Sequence, residues 1–369
     1  MTIDPEDYSE AQVRVRPGRG SRPRTKQRPT HAGAAHGQIT GVARGRYRVR
    51  LGGFLADQDV DLDAIRAREL HGTAIVVGDR VRLTGDVSGA SGALARIVAV
   101  EPRRTVLRRS ADDRDQLERI VVANADLLLI VCAAAAPKPR PGCVDRCVLA
   151  AVDGGLDPAL IITKTDLDPA GDLAAHADRL GIPCIRTAPP TEAETMDAGP
   201  TVADLADLRS LISGRVAALV GHSGVGKSSL LNRLAPTARR ATGAVNRVTG
   251  RGRHTSSSAS AVACPAIDGL EPAWLIDTAG VRSFGLGHVD PDRFARAWAG
   301  PAGARIAAAE PELRDDLVAE AEDPSTLPRL RELVRLLALL EPAPDDAGHR
   351  SEADSAQPRR TGRDDDRGR

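Results

Sequence analysis

Ala217–Asn232 reads AALVGHSGVGKSSLLN. Ala217, Ala218, Leu219 and Val220 make a short apolar run suited to a buried strand, and Ser229-Leu230-Leu231-Asn232 opens an apolar-spaced helix. Between them stands Gly221-x-x-x-x-Gly226-Lys227-Ser228. Strand, glycine-rich loop and helix start, in that order, are what a phosphate-binding loop requires. The glycines let backbone N–H groups turn inward, and the helix start adds the positive end of its dipole. Lys227 is placed to reach the outer phosphates, and the Ser228 hydroxyl to hold Mg²⁺. A ligand-free glycine turn seldom carries all eight positions in this context. A nucleoside triphosphate is therefore expected here, cradled by Gly221, His222, Ser223, Gly224, Val225, Gly226, Lys227, Ser228 and Ser229.

Strands and helices alternate outward from this loop. Leu127–Val131, Ala159–Ile162 and Cys184–Arg186 read as strands, and Val144–Val152, Leu173–Leu180 and Val202–Ile212 as helices between them. Val262–Ile267 and Trp274–Ile276 follow as strands, after a polar segment over 241–260. Repeated units of this kind give a parallel sheet covered by helices, so the fold class is α/β. Upstream, Gln38–Thr40, Tyr47–Leu51, Asp59–Leu62, Gly72–Val76, Arg80–Thr84 and Ala95–Val100 read as short strands separated by Gly-Asp turns. They suggest a small closed β-barrel, with an OB-fold as the natural candidate, and Arg103–Ser110 reads as a basic linker behind it. Beyond His288 the pattern is helical. Asp290-Pro291 is an N-cap and first-turn pair for a helix with Phe294 and Trp298 on one face, and Leu327, Leu330, Val334, Leu337 and Leu340 recur at helical spacing. The expected order is a basic arm (1–36), the barrel (37–110), the α/β domain (111–288), helices (289–342) and a polar tail (343–369).

The 369 residues carry a formal net charge of only +1, so no global charge points to a polyanion. The distribution is uneven, however. Arg14, Arg16, Arg19, Arg22, Arg24, Lys26 and Arg28 stand in the stretch 11–30 with no acid among them. Such an arm either solubilises the chain or pairs with a polyanion. Arg44, Arg46, Arg48 and Arg50 recur at period 2 and would line one strand face, which with the arm reads as a surface for RNA phosphates. Tyr47 and Phe54 are the aromatics nearby, too few for base-by-base stacking. Only Lys26, Lys138, Lys164 and Lys227 depart from arginine as the cation. The cysteines, Cys132, Cys143, Cys147, Cys184 and Cys264, are odd in number and irregularly spaced, which fits free thiols in a reducing compartment. Cys143 and Cys147 fall on a helical period with Val144, Val148 and Ala151 and read as core. With no signal peptide and no run of about 20 apolar residues, the chain is expected to be cytoplasmic and monomeric.

Reading guanine takes more than a phosphate loop. A carboxylate must accept from N1–H and the 2-amino group, a lysine must lie along the base, a threonine must reach Mg²⁺, and an Asp-x-x-Gly turn must face the γ-phosphate. Ile161-Ile162-Thr163-Lys164-Thr165-Asp166 ends a strand with a Thr-Lys-Thr-Asp form of the Asn-Lys-x-Asp guanine motif. Asp166 would read the base, Lys164 stack on it, and Thr163 supply part of the bonding of the usual asparagine. Trp274-Leu275-Ile276-Asp277-Thr278-Ala279-Gly280 delivers Asp277 towards Mg²⁺ and the Gly280 N–H towards the γ-phosphate, and Thr255 in Arg251-Gly252-Arg253-His254-Thr255 offers the remaining Mg²⁺ ligand. Here the guanine motif precedes the phosphate loop, the reverse of the ordinary order. That implies circular permutation, which is tolerated because domain termini often lie close together.

Taken with VVGDRV over 76–81, Ala123-Asn124-Ala125-Asp126, GRGRHTS over 250–256 and DTAGVRSFGL over 277–286, the chain resembles the circularly permuted ribosome small-subunit-dependent GTPases (RsgA/YjeQ type). The resemblance covers roughly 37–290 and, more faintly, the last helix. It implies an OB-fold fused to a permuted GTPase domain that binds the small ribosomal subunit and its rRNA and hydrolyses GTP, with Mg²⁺, late in subunit maturation. The chain departs from the family in three ways. Ala279 stands for proline and Thr163 for asparagine. The family's closing zinc site uses three cysteines and a histidine, yet no cysteine follows Cys264, so zinc is not expected. Val281 follows the Asp-x-x-Gly turn where many GTPases keep a water-orienting glutamine. A valine cannot orient water, so intrinsic hydrolysis should be slow; His254 is the candidate replacement, or it contacts RNA instead. Two other classes stay open, a GTP-gated rRNA-binding module with incidental hydrolysis and an ATPase.

Overall fold

The computed structural model describes residues 33–43, 45–56, 60–109, 119–188, 205–236, 259–278, 284–321 and 323–341. Five strands come first: β1 (Ala35–Ala43), β2 (Arg46–Leu51), β3 (Asp61–Arg66), β4 (Arg80–Gly85) and β5 (Leu94–Val100). β1 pairs with β2, β2 with β3, and β4 with β5, all antiparallel, while β3 and β5 run parallel. The first half of β1 pairs with β4 and closes the ring. The circuit 1-2-3-5-4-1 is that of the expected OB barrel. Alternation drives it, since Ile39, Val49, Leu62, Ala64, Val81, Leu83, Ala95 and Ile97 all point inward. At Gly37 a Cβ would sit 2.6 Å from Val49 Cγ1, so only glycine lets β1 cross the barrel there.

Several expected boundaries move. Gly72–Val76 is not a strand: the Asp79 carboxylate accepts from the Val76 N–H (2.8 Å) and pairs with Arg103, which holds this segment as a turn. Asp59–Leu62 becomes Asp61–Arg66, with Asp59 outside the described residues. Nor is Arg103–Ser110 a linker. Thr105 and Leu107 are buried, and β6 (Val106–Arg109) pairs with β7 (Arg119–Ala123) in a two-stranded sheet. Tyr47 and Phe54 are core residues rather than surface aromatics, 8% and 3% exposed.

Then follow β8 (Leu127–Ala133), α1 (Pro141–Asp153), β9 (Asp157–Thr163), α2 (Gly171–Leu180), β10 (Cys184–Arg186), α3 (Ala206–Ile212), β11 (Val216–Val220), α4 (Lys227–Leu234), β12 (Ser260–Cys264) and β13 (Ala273–Asp277). The order across the sheet is β10-β9-β8-β11-β13-β12, parallel except for β12. Its strands are apolar on both faces, as a sheet covered by helices on both sides requires. Leu128, Ile130, Leu160, Ile162 and Ala218 face α1 and α2, whereas Leu129, Val131, Ala159, Ile161 and Leu219 face α3 and α4. β12 is shorter than Val262–Ile267 at one end because Ile267 turns back to bridge Leu270.

Barrel and sheet are one hydrogen-bonded surface, for Gly41 of β1 stands opposite Ser260 of β12. Phe54, from the barrel, stacks on Trp274 of β13 with ring centroids 4.6 Å apart, and Arg50 lies over the same indole. Truncation at Phe54 empties this junction. Phe54→Ala is expected to cost about 3 kcal/mol, read as a lower urea midpoint.

The C-terminal helices are α5 (Pro291–Ala308), α6 (Arg314–Ala319) and α7 (Leu327–Leu337). The Asp290 side chain accepts from the N–H groups of Asp292 and Arg293, as its sequence position predicts. Phe294 and Trp298 are buried and stacked. The helix kinks at Ala299 and Gly300, ahead of Pro301. Leu330, Leu333, Leu336 and Leu337 of α7 are buried against the core. Among the described residues no helix is long and apolar enough to cross a membrane.

Candidate nucleotide site

The phosphate loop leaves β11 at Gly221, whose hypothetical Cβ would lie 2.3 Å from the Val131 carbonyl oxygen of β8. Backbone approaches backbone here, and no side chain fits. Gly226 is the N-cap of α4 at φ 99°, a left-handed conformation that favours glycine. Ser223 and Gly224 are exposed at the loop tip, Val225 is buried beneath it, and Ser228 and Ser229 are exposed at the helix start. Lys227 Nζ folds back to donate to the carbonyls of Gly221 and His222 (2.9 Å to the latter). Lys227 and Asp277 sit close enough to affect each other's titration. Burial pushes the lysine down and the carboxyl up, and each partly restores the other's charge.

The guanine-motif segment meets this loop. Thr163, at the end of β9 and 6% exposed, donates its hydroxyl to the carbonyl of Val225, across 62 positions of sequence, with a second acceptor at Cys132 (3.3 Å). The Cβ that a residue at 226 would carry lies 3.5 Å from the Thr163 hydroxyl. Lys164 adopts φ 58° and its ammonium reaches the carbonyl of Ala136. Thr165 donates its N–H to Thr187 (3.3 Å), and Asp166 is exposed in the following turn. Losing the Thr163 tie loosens the loop at Val225. Thr163→Val is expected to cost about 1 kcal/mol, or about fivefold in GTP affinity, measured by titration calorimetry.

One residue that the motif reading passed over is Thr278. It is 1% exposed and its hydroxyl donates to Leu219 of β11, fixing the strand end that carries Asp277. The signal was present as a hydroxyl directly after the acid. Gly280, His254 and Thr255 lie outside the described residues, as do Val281, Ala279 and most of the segment 241–260. The residues at hand still suit Mg²⁺. Ser228 offers an open hydroxyl, and the half-buried Asp277 is a carboxylate whose charge burial disfavours until a cation is near. Among the described residues no cluster of three or more His, Cys, Asp or Glu could hold a metal alone. Mg²⁺ in nucleotide sites takes one or two protein oxygens and completes its shell with phosphate and water.

Of the basic residues expected at RNA, Arg14, Arg16, Arg22, Arg24, Lys26 and Arg44 lie outside the described residues. Arg46 and Arg48 are exposed on one face of β2, as the period of 2 predicts, and border a polar cavity of about 470 Å³. Carboxylates dilute that face, for Arg48 pairs with Asp63 (3.9 Å) and Arg50 with Asp61 (3.5 Å) on β3.

The family model described as RsgA GTPase matches residues 100–287. A protein of Chromohalobacter salexigens named small ribosomal subunit biogenesis GTPase RsgA is 36% identical over 226 residues, 60% of this chain and 60% of that one. Its namesake in Pseudomonas syringae pv. tomato is 38% identical over 222 residues, 58% of each. The chain thus matches about 60% of the length of these relatives. Among solved structures, YjeQ from Thermotoga maritima aligns with a TM-score of 0.50 at 17% identity, over 82% of this chain and 98% of that one. YloQ, described as a circularly permuted GTPase, aligns at 0.51 and 18% identity, over 86% and 99%. The fold is that of these proteins.

Proposed function

Because the chain belongs to the RsgA GTPase family, we propose that it hydrolyses GTP to GDP and phosphate, binds the small ribosomal subunit, and acts in that subunit's late maturation in the cytoplasm. The observation that carries this is the hydroxyl of Thr163 on the carbonyl of Val225, which joins the guanine-motif strand to the phosphate loop despite their distance in sequence. Asp166 then reads the guanine edge and Lys164 lies along the base. The loop from Gly221 to Ser229 takes the phosphates, with Lys227 neutralising the outer ones. Ser228, Asp277 and Thr255 would hold Mg²⁺, which supplies charge stabilisation at the β- and γ-phosphates. The Gly280 N–H would face the γ-phosphate and His254 would orient the water. With Val281 unable to do so, turnover by the isolated monomer is slow. The arm arginines, with Arg46 and Arg48, track rRNA phosphates.

The test is GTP turnover measured alone, with small subunits and with large subunits. Small subunits alone are expected to raise kcat. Subunits that tighten GTP binding but leave turnover unchanged would show a GTP-gated RNA-binding module instead.

A further inference from the structure

A cavity of about 690 Å³ lies between the phosphate loop and the connection from β8 to α1. Its walls are mainly apolar, with Ile130, Val131, Pro137 and Val225 among them, and Cys132, Cys143, Cys147 and His222 line it too. Periodicity assigns both α1 cysteines to the core, and Cys147 is indeed buried. Cys143 packs against the same core but is only partly buried. It sits in the first turn of α1, just past the connection from β8, and remains half-exposed.

Its surroundings are electropositive. The positive end of a helix dipole favours an anion, Arg140 stands at the N-cap, and the His222 ring places Nε2 at 3.7 Å from the sulfur. A hydrogen bond from Cys147, opposed by burial and aided by His222 and Arg140, holds the Cys143 thiol down at about 6. The other thiols go the opposite way. Burial pushes Cys132 up to about 12 and raises Cys184 and Cys264, while the bond to Cys143 and burial raise Cys147.

We propose that Cys143 is a hydroperoxide-reactive thiol whose oxidation acts on the phosphate loop through His222. The thiolate sulfur attacks one oxygen of the peroxide. An S–O bond forms and the O–O bond breaks. The sulfur loses two electrons, and the departing oxide takes a proton to leave as water or an alcohol. The product is a sulfenic acid facing the His222 ring. His222 also accepts from Lys227 through its carbonyl, so a ring displaced by the added oxygen moves the loop that holds the lysine. This effect on nucleotide rests on the function proposed above, whereas the reactivity of the thiol does not.

The full chain is treated with hydrogen peroxide at pH 6, sulfenic acid is trapped with dimedone, and the modified peptides are identified by mass. The groups around the sulfur are Cys132, Cys147, His222 and Arg140, with Asp145 behind Cys147. Trapping is expected at Cys143 about tenfold faster than at an ordinary thiol, after allowing for the weaker nucleophilicity of a more acidic sulfur. It is expected to vanish in Cys143→Ser and Cys143→Ala. Oxidised wild-type chain is expected to bind GTP about tenfold more weakly, with both variants indifferent to peroxide. Trapping that begins at another cysteine, an ordinary rate at Cys143, or GTP affinity unchanged by oxidation overturns the proposal. A reduced chain that does not bind GTP overturns the nucleotide assignment and the coupling with it, while the trapping rate still decides the thiol.

Discussion

Asp166→Asn is expected to weaken GTP binding by about a hundredfold, roughly 3 kcal/mol, and to tighten binding of xanthosine triphosphate by a comparable factor. A carboxylate accepts from both guanine donors at once, and these charge-assisted bonds are about twice as strong as neutral ones. Asparagine keeps the shape but presents one donor and one acceptor. Xanthine carries a carbonyl where guanine carries its 2-amino group, so the exchanged edge suits the amide. ATP affinity is expected to stay low in both proteins, because adenine lacks the donor pair. Asp166 is exposed in a turn, and the fold should tolerate the change, so a loss of GTP affinity will report on the base and not on folding. Equal loss for all three nucleotides, or none, removes Asp166 from the base site. Competition against a fluorescent GTP analogue separates these outcomes.

Legibility in the sequence followed the range of the interactions. The apolar strands and the amphipathic helices appear as local periodicity, and Cys184–Arg186 was placed to the residue. The barrel was legible as a class but its closing pairs were not, because β3 and β5, separated in sequence by β4, pair in parallel and nothing local encodes that register. Gly72–Val76 had the composition of a strand, yet Asp79 captured its backbone and Arg103 captured Asp79, a tertiary tie that overrides propensity. The same arginine made Arg103–Ser110 look like a charged linker. At the site, the motifs picked out the phosphate loop and the two strand ends beside it, but not the residues that tie them together. Thr163 was legible as a weakened asparagine, and its tie to Val225 became visible only once the two segments met. Thr278 and the contact of Cys143 with His222 depend on which strand ends are neighbours, and that is a property of the sheet order.

Removing the Asp145 carboxylate should detach the C-terminal helices from the α/β core. Asp145 lies on α1, its side chain 5% exposed, and receives both terminal nitrogens of Arg335 from α7 (2.8 and 2.9 Å). His176 of α2 lies 2.8 Å away, and Arg179 donates to the other ring nitrogen, so Nε2 carries the hydrogen given to Asp145. Three elements thus converge on one buried carboxylate. Asp145→Ala strands the buried His176 hydrogen and frees Arg335, at a cost of about 3 kcal/mol, with faster amide exchange across Leu327–Leu337. Burial pushes Asp145 up, but the bonds from His176 and Arg335 outweigh it and hold the carboxyl at about 2, against an ordinary 3.8. A depressed carboxyl stabilises the fold above its unfolded value, and that contribution fades as pH falls through the folded one. In the wild type about 2 kcal/mol should therefore disappear between pH 4 and about 2. A packing variant provides the contrast. Leu333→Ala on the same helix removes a fully buried side chain and costs a similar amount, yet it should leave the acid limb of the stability curve unchanged. If both variants flatten that limb equally, the acid sensitivity belongs to the packing of α7 and not to the carboxylate beneath it.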